Sequence, residues 1–116
     1  MRLTVGISGA SGVILGYHLL KALKSYPECE THLVMSQAAK RTLQLESQLK
    51  PSEIEGLADY VHDYRNMAAS ISSGSFKTDG MIVIPCSMKT LSGIAVGYAD
   101  NLLIRAVDVC LKENRR

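Results

Sequence analysis

Leu3, Val5 and Ile7 alternate with Arg2, Thr4 and Gly6, and this period of two runs into a glycine-rich turn, Gly6-Ile7-Ser8-Gly9-Ala10-Ser11-Gly12. The pattern predicts a strand feeding straight into a helix. From Val13 the period lengthens: Ile14, Tyr17, Leu20 and Leu23 recur at helical spacing, which predicts a helix apolar on one face to about Ser25. Pro27 breaks it, and Thr31-His32-Leu33-Val34-Met35 predicts a second strand. The opening of the chain is thus a βαβ unit.

Ser36 follows the second strand, where it is suited to cap a helix running from Gln37 to Glu46. Pro51-Ser52-Glu53-Ile54-Glu55 predicts a further short helix, with proline in the first turn, where its missing N–H is tolerated. Val61 to Ser75 is polar and mixed, and Ala69 to Ser75 reads as a small-residue loop that is a good place for ligand-facing backbone. Met81-Ile82-Val83-Ile84 is a continuous apolar run between Gly80 and Pro85, the signature of a central strand covered on both faces. Cys86-Ser87-Met88-Lys89-Thr90 leads into an apolar helical run with Leu91, Ile94, Ala95 and Tyr98. Asp100 or Asn101 then caps a final helix with Leu102, Leu103, Val107, Cys110 and Leu111 on its buried side. A three-strand βαβαβ core that ends in a helix leaves that helix nothing to cross over to, so the expectation is a fragment or truncated form of a larger domain.

The chain's 116 residues, 47% of them hydrophobic, predict one domain with a sizeable core. A net charge of +2, from 13 basic and 11 acidic residues, is too balanced for a nucleic-acid or anionic-membrane binder. The absence of Trp and the single Phe76 also remove the aromatic platforms on which bases stack. No apolar run reaches the roughly 18 residues of a membrane span, and Met1-Arg2-Leu3-Thr4 enters a strand without a signal-peptide pattern, so a cytoplasmic protein is expected. Cys29, Cys86 and Cys110 lack metal-ligand or redox-pair spacing and predict reduced thiols.

Glycines at 6, 9 and 12 permit close ligand approach, and the first amides of the helix that follows point outward with the positive end of its dipole. The same turn also serves simple strand-to-helix packing. Its G-x-x-G-x-x-G spacing departs from the dinucleotide fingerprint, and Met35-Ser36 stands where that fold places an acid for the ribose, so NAD is disfavoured. The lack of G-K-[ST] sets aside a P-loop nucleotidase. Hydroxyls follow each strand end: Ser8 and Ser11, then Ser36, then Ser87 and Thr90. Short neutral donors in three converging loops suit a phosphorylated polar cofactor, and Ser36 and Ser87 serve equally well as helix caps.

These segments resemble the flavin prenyltransferases of the UbiX type, long described as phenylacrylic or aromatic acid decarboxylases. The matching pieces are Gly6 to Gly12, Thr31 to Ser36 with Glu46, Ala69 to Phe76, Ile84 to Gly93 and Arg105 to Glu113. They cover nearly the whole chain in order, and only the N-terminal part of the family's domain. The resemblance implies a flavodoxin-like, Rossmann-like three-layer α/β fold with a parallel sheet, residues 1–116 forming a single FMN-binding domain shortened at its C-terminal side. It implies transfer of a dimethylallyl group from dimethylallyl monophosphate to reduced FMN, without metal, for use by a partner decarboxylase that depends on the prenylated flavin. A trimer-based homo-oligomer, a dodecamer of four trimers with active sites shared between protomers, is implied as well. By position, Gly9, Ala10, Ser11, Ser36, Ser87, Met88, Lys89 and Thr90 are the implied FMN contacts, Ser11 and Glu46 the catalytic residues, and Arg105 and Lys112 the cations for the prenyl phosphate. An allylic phosphate leaves by building negative charge, which cations and an acid stabilise.

The residues alone leave other readings open. Arg105 and Lys112 share a helix face with Asp108, as an exposed ion-pair ladder would; Lys89 suits a side chain lying over the helix start, and Cys86 a packed thiol. Two other functions fit the same pattern: a non-catalytic FMN-binding or assembly subunit of a decarboxylase system, and a flavoprotein that decarboxylates a cysteine peptide. Pro85-Cys86-Ser87-Met88-Lys89-Thr90 suits the prenyltransferase better than the latter.

Overall fold

A computed structural model describes residues 1–116. The strand β1, Arg2–Ile7, passes through the glycine turn into helix α1, Val13–Leu23; β2, Glu30–Met35, follows and is continued by α2, Gln37–Glu46, and α3, Pro51–Glu55. Then come β3, Tyr60–His62, a single 3₁₀ turn at Ser70–Ser72, β4, Gly80–Val83, and the helices α4, Met88–Val96, and α5, Leu102–Lys112. The four strands form one parallel sheet in the order β3-β2-β1-β4. Val5 lies opposite Leu33 and Ile82, and Gly6 opposite Val34 and Val83.

Period-two alternation decides which layer each residue joins. Val5, Ile7, Leu33 and Met35 point to one face, where Val13 and Leu20 of α1, Ala39 and Leu43 of α2 and Ile54 of α3 close over them. Val34 points to the other, beneath Leu102, Leu103 and Ala106 of α5, with Ala69 and Ile71 alongside. This is the flavodoxin-like arrangement of helices on both faces of a parallel sheet.

Four expectations from the sequence are corrected. The polar stretch from Val61 contains the end of a strand, β3, since its three residues pair in parallel with His32–Val34 on β2. Met81–Val83 is a strand paired with β1, but residues 1–116 do not cover it on both faces, Ile82 being 38% exposed; beside it the Arg116 carbonyl accepts the Met81 amide at 2.8 Å. The buried arc of α5 is Leu102, Leu103, Ile104, Ala106, Val109 and Cys110. Leu111 is exposed and Val107 half-buried: at about 100° per residue Leu111 lies on the same side of the helix as Ile104, but only Ile104 is covered there, by Gly93 of α4. Finally, α4 buries none of its residues fully and stops at Gly97, so Tyr98 lies beyond it.

On the α5 side of the sheet a polar chain crosses three strands. His32, 3% exposed, sits with Nε2 2.7 Å from Glu30 Oε1 and Nδ1 2.9 Å from His62 Nε2, and Arg2 Nε donates to Glu30 Oε1 at 2.6 Å. Tyr60 stacks on His32 at 4.7 Å between ring centroids, and Phe76 meets its edge at 5.3 Å. Burial, then the neighbouring His32, holds the His62 imidazole below its ordinary 6.5, while hydrogen bonds from His32 and then Arg2 hold Glu30 below its ordinary 4.5. Both groups bind protons more readily when unfolded. Their contribution to stability is therefore present above pH 6.5, is lost through His62 as pH falls below that value, and is lost further through Glu30 below 4.5. The midpoint of thermal unfolding, followed by circular dichroism from about pH 8 down to about pH 4, is expected to fall across this range, with His62→Gln flattening the upper part. A midpoint that stays level or rises on acidification would contradict the assignment.

Candidate functional site

The site lies where the parallel strands end, because the chain must turn there from sheet to helix and leaves helix N-termini facing one another. Gly12 caps α1 with φ 95°, a left-handed conformation that glycine adopts without the penalty a Cβ brings. Ser36 caps α2: its amide donates to the Ile7 carbonyl at 3.0 Å, and its hydroxyl accepts the Ala39 amide at 3.0 Å. Ser87 does the same for α4, accepting the Thr90 amide at 3.2 Å while donating to Thr90 Oγ1 at 3.0 Å. Asn101, the cap of α5, accepts the Ile104 amide at 3.0 Å, and the Tyr64 carbonyl holds the Leu102 amide at 2.9 Å.

Between these ends lies a cavity of about 580 Å³. Gly9, Ser36, Gln37, Ala38 and Arg41 form one wall, Ser87, Lys89, Thr90 and Gly93 a second, and Asn101, Leu103 and Ile104 a third, with Tyr64, Val96 and Tyr98 at the rim. Its charged lining residues are Arg41, Lys89 and Asp100. Three helix N-termini and two cations against one acid make it attractive to an anion, while Leu103, Ile104 and Val96 offer an apolar surface to a planar ring. That combination fits a flavin mononucleotide, whose phosphate and ring system make opposite demands of a pocket.

Of the sequence-predicted contacts, Gly9, Ser36, Ser87, Lys89 and Thr90 line this cavity. Ala10 and Ser11 lie on the turn beside it, Ser11 exposed, and Met88 is exposed at the first residue of α4. Glu46, at the far end of α2, reaches back to the same turn and accepts the Gly12 amide at 3.1 Å. Arg105 and Lys112 do not line the cavity. Arg105 Nε donates to the Ser72 carbonyl at 3.2 Å and pairs with Asp108 at 3.4 Å, and Lys112 pairs with Glu113 at 3.2 Å beside Gly74. Both cations thus face the 70–75 loop, partly as the ion-pair reading of the sequence has it. Burial pushes the half-buried Cys86 thiol above its ordinary range, as befits a packed side chain.

Sequence reasoning missed Arg41, Tyr64 and Asn101 as lining residues. Arg41 carried a signal, since it lies four residues after Gln37 on the face of α2 that begins at Ser36. Tyr64 carried none once β3 went unrecognised, because the strand's end is what delivers it to the rim.

The fold and this site define a class: a doubly wound α/β protein whose cavity at the carboxyl ends of its strands suits a phosphorylated ring compound. Comparison with known proteins narrows it. The profile of the Flavoprotein family matches residues 1–116, and the chain belongs to that family. It is 73% identical over 116 residues to a probable UbiX-like flavin prenyltransferase of Sedimentibacter hydroxybenzoicus, an alignment covering 100% of this chain and 61% of the relative. Among solved structures it resembles a dodecameric FMN-dependent Ubix-like decarboxylase from Escherichia coli O157:H7, with a TM-score of 0.98, 58% identity and coverage of 100% of this chain and 63% of the other. It also resembles AnUbiX (PadA1) in complex with FMN and dimethylallyl pyrophosphate, with a TM-score of 0.97 and 52% identity, covering 99% of this chain and 61% of that one. The chain spans about three fifths of the length of these relatives.

Proposed function

We propose that residues 1–116 form a single FMN-binding domain of a flavin prenyltransferase, one that joins a dimethylallyl group from dimethylallyl monophosphate to reduced FMN. The observation that carries the reading is the cavity, with capped helix N-termini and cations on one side and an apolar wall on the other, in a chain 52% identical to a protein solved with FMN and a dimethylallyl phosphate ester. Gly9, Ser36, Ser87, Lys89 and Thr90 hold the flavin, with Ala10, Ser11 and Met88 from the flanking turn and helix start. Bound in reduced form, the flavin supplies the nucleophilic ring nitrogen that accepts the prenyl group.

The chain's own residues supply orientation and charge. Ser11 presents a hydroxyl at the edge of the turn, and Glu46, fixed on the Gly12 amide, holds or moves a proton there. Arg105 and Lys112 offer cations for the departing phosphate, and their position outside this protomer's cavity suits a site completed between protomers. The exposed apolar residues of α4, Met88, Leu91 and Val96, suit burial in such a homo-oligomer, trimer-based and dodecameric when complete. The product serves a decarboxylase that depends on prenylated FMN, and the reaction belongs to the cytoplasm. No helix of the chain is long and apolar enough to cross a membrane.

Anaerobic incubation with reduced FMN and dimethylallyl monophosphate, with the pyrophosphate in a parallel arm, is expected to give a flavin heavier by one prenyl group on mass spectrometry. FMN bound but unchanged in mass would leave the reading of a non-catalytic FMN-binding subunit. Failure to take up FMN would remove both readings.

A further inference from the structure

Ser8 is 1% exposed and does not line the cavity, yet its side chain joins the two loops that do. Its hydroxyl donates to the Pro85 carbonyl at 2.9 Å and accepts the Ser87 amide at 2.7 Å, while its own amide also donates to Pro85 at 3.2 Å. One hydroxyl is thereby used as donor and acceptor at once, 79 residues away along the chain. We infer that Ser8 is a positioning residue: it sets the N-terminus of α4, and with it the Ser87 hydroxyl, at the distance from the first turn that the flavin requires. The inference rests on the FMN reading of the cavity.

The physical case is one of degrees of freedom. β1 and β4 are paired only as far as Gly6 and Val83, and the segment from Pro85 to Ser87 must then bend into α4 without ladder bonds to β1. Beyond the Ile84 amide, which donates to the Gly6 carbonyl at 2.8 Å, the bonds tying this segment to the first turn all run through Ser8. Since α4 buries none of its residues fully, packing alone does little to hold its start. Removing the hydroxyl leaves the Ser87 amide without its partner, and the helix start is free to shift.

Thr31 provides an internal control. Its hydroxyl has the same double role at the opposite end of the sheet, donating to Asp59 Oδ2 at 3.1 Å and accepting the Asp59 amide at 3.0 Å, and it is 3% exposed. FMN titration by fluorescence quenching and thermal unfolding should be measured for the 116-residue chain, Ser8→Ala, Ser8→Thr and Thr31→Val, with amide hydrogen exchange of Ser87 by NMR. Ser8→Ala is expected to weaken FMN binding by about 10- to 100-fold and to lose the protection of the Ser87 amide. Ser8→Thr, which keeps the hydroxyl, should recover most of both, and Thr31→Val should lose thermal stability with its affinity for FMN intact.

Unchanged affinity in Ser8→Ala would overturn the inference. So would equal losses of affinity in Ser8→Ala and Thr31→Val, which would mark a general effect of stability. Should Ser8→Ala fail to fold, the exchange of Ser87 in the unaltered chain still decides, because a fast-exchanging amide there is incompatible with the clip. An unaltered chain that takes up no FMN but protects Ser87 would overturn the functional reading and the flavin part of the inference, leaving the clip itself standing.

Discussion

Gly9→Val is expected to destabilise the protein by about 3 kcal/mol or more and to abolish measurable FMN binding. A Cβ built on Gly9 collides with the Ala38 Cβ and lies 2.9 Å from the Ala38 carbonyl carbon, so the clash reaches the backbone of α2 at its second residue. No rotamer change relieves it; the turn and the helix must separate. That separation moves Ser36 and Ala38 away from Gly9, and all three line the cavity. Gly6→Ala is the instructive comparison. Its Cβ would meet Met81 Cε, the end of a flexible side chain, at 3.0 Å and the Leu103 side chain at 3.2 Å, with no backbone atom among the nearest contacts, and the cost should stay nearer about 1 kcal/mol. Thermal unfolding and FMN titration of the two variants check the prediction, and equal effects would show that the close approach of Gly9 to α2 is unimportant.

The sequence revealed most where a structure is decided locally. The first strand, first helix, second strand and second helix were legible because a period of two changed to one of 3.6 at Gly12 and again at Ser36. Ser36 and Ser87 were legible as caps for the same reason, since an N-cap bonds an amide only three residues away. β3 was not legible: three residues with two exposed carry no alternation, and the strand is held by the His32–His62 bond and the stacking of Tyr60, neither of which has a local signature. Met81–Val83 was legible as a strand from its continuous apolar run between Gly80 and Pro85. α5 shows the limit of reading a stripe by eye, as Ile104 is buried through contact with Gly93 of α4.

The candidate site divides in the same way. Its hydroxyls and glycines follow from the βα turns themselves, whereas Glu46 was picked out only by resemblance. The structure gives Glu46 a physical reason in the Gly12 amide it accepts, 34 residues away. Arg41 and Asn101 lie on helices that the sequence predicts, but which helix ends meet across the cavity is decided by how α2 and α5 pack on the sheet, which has no local signature. Arg105 and Lys112 are the reverse case, named by resemblance and found facing the 70–75 loop, outside the lining of the cavity.

Ser36→Asp is expected to leave the fold intact and still weaken FMN binding by on the order of 100-fold or more. Aspartate is as good an N-cap as serine, so the bond from the Ala39 amide and the start of α2 survive. What changes is the charge: a carboxylate now stands beside Arg41 at the helix end, the place in the cavity that on the proposed reading attracts the flavin phosphate. Two unit charges at about 4 Å interact by about 4 kcal/mol in a partly exposed protein site, so even a fraction of that repulsion is enough for the expected loss. Ser36→Asn, which caps equally well and carries no charge, should cost only a few-fold, isolating charge from shape. The loss in Ser36→Asp should also shrink as salt is raised from about 0.01 M to about 1 M, because the screening length falls from about 30 Å to about 3 Å. Thermal unfolding of both variants together with FMN titrations at low and high salt make the measurement. An Asp variant that binds FMN as the unaltered chain does would place the phosphate elsewhere in the cavity, and with it the orientation of the whole ligand.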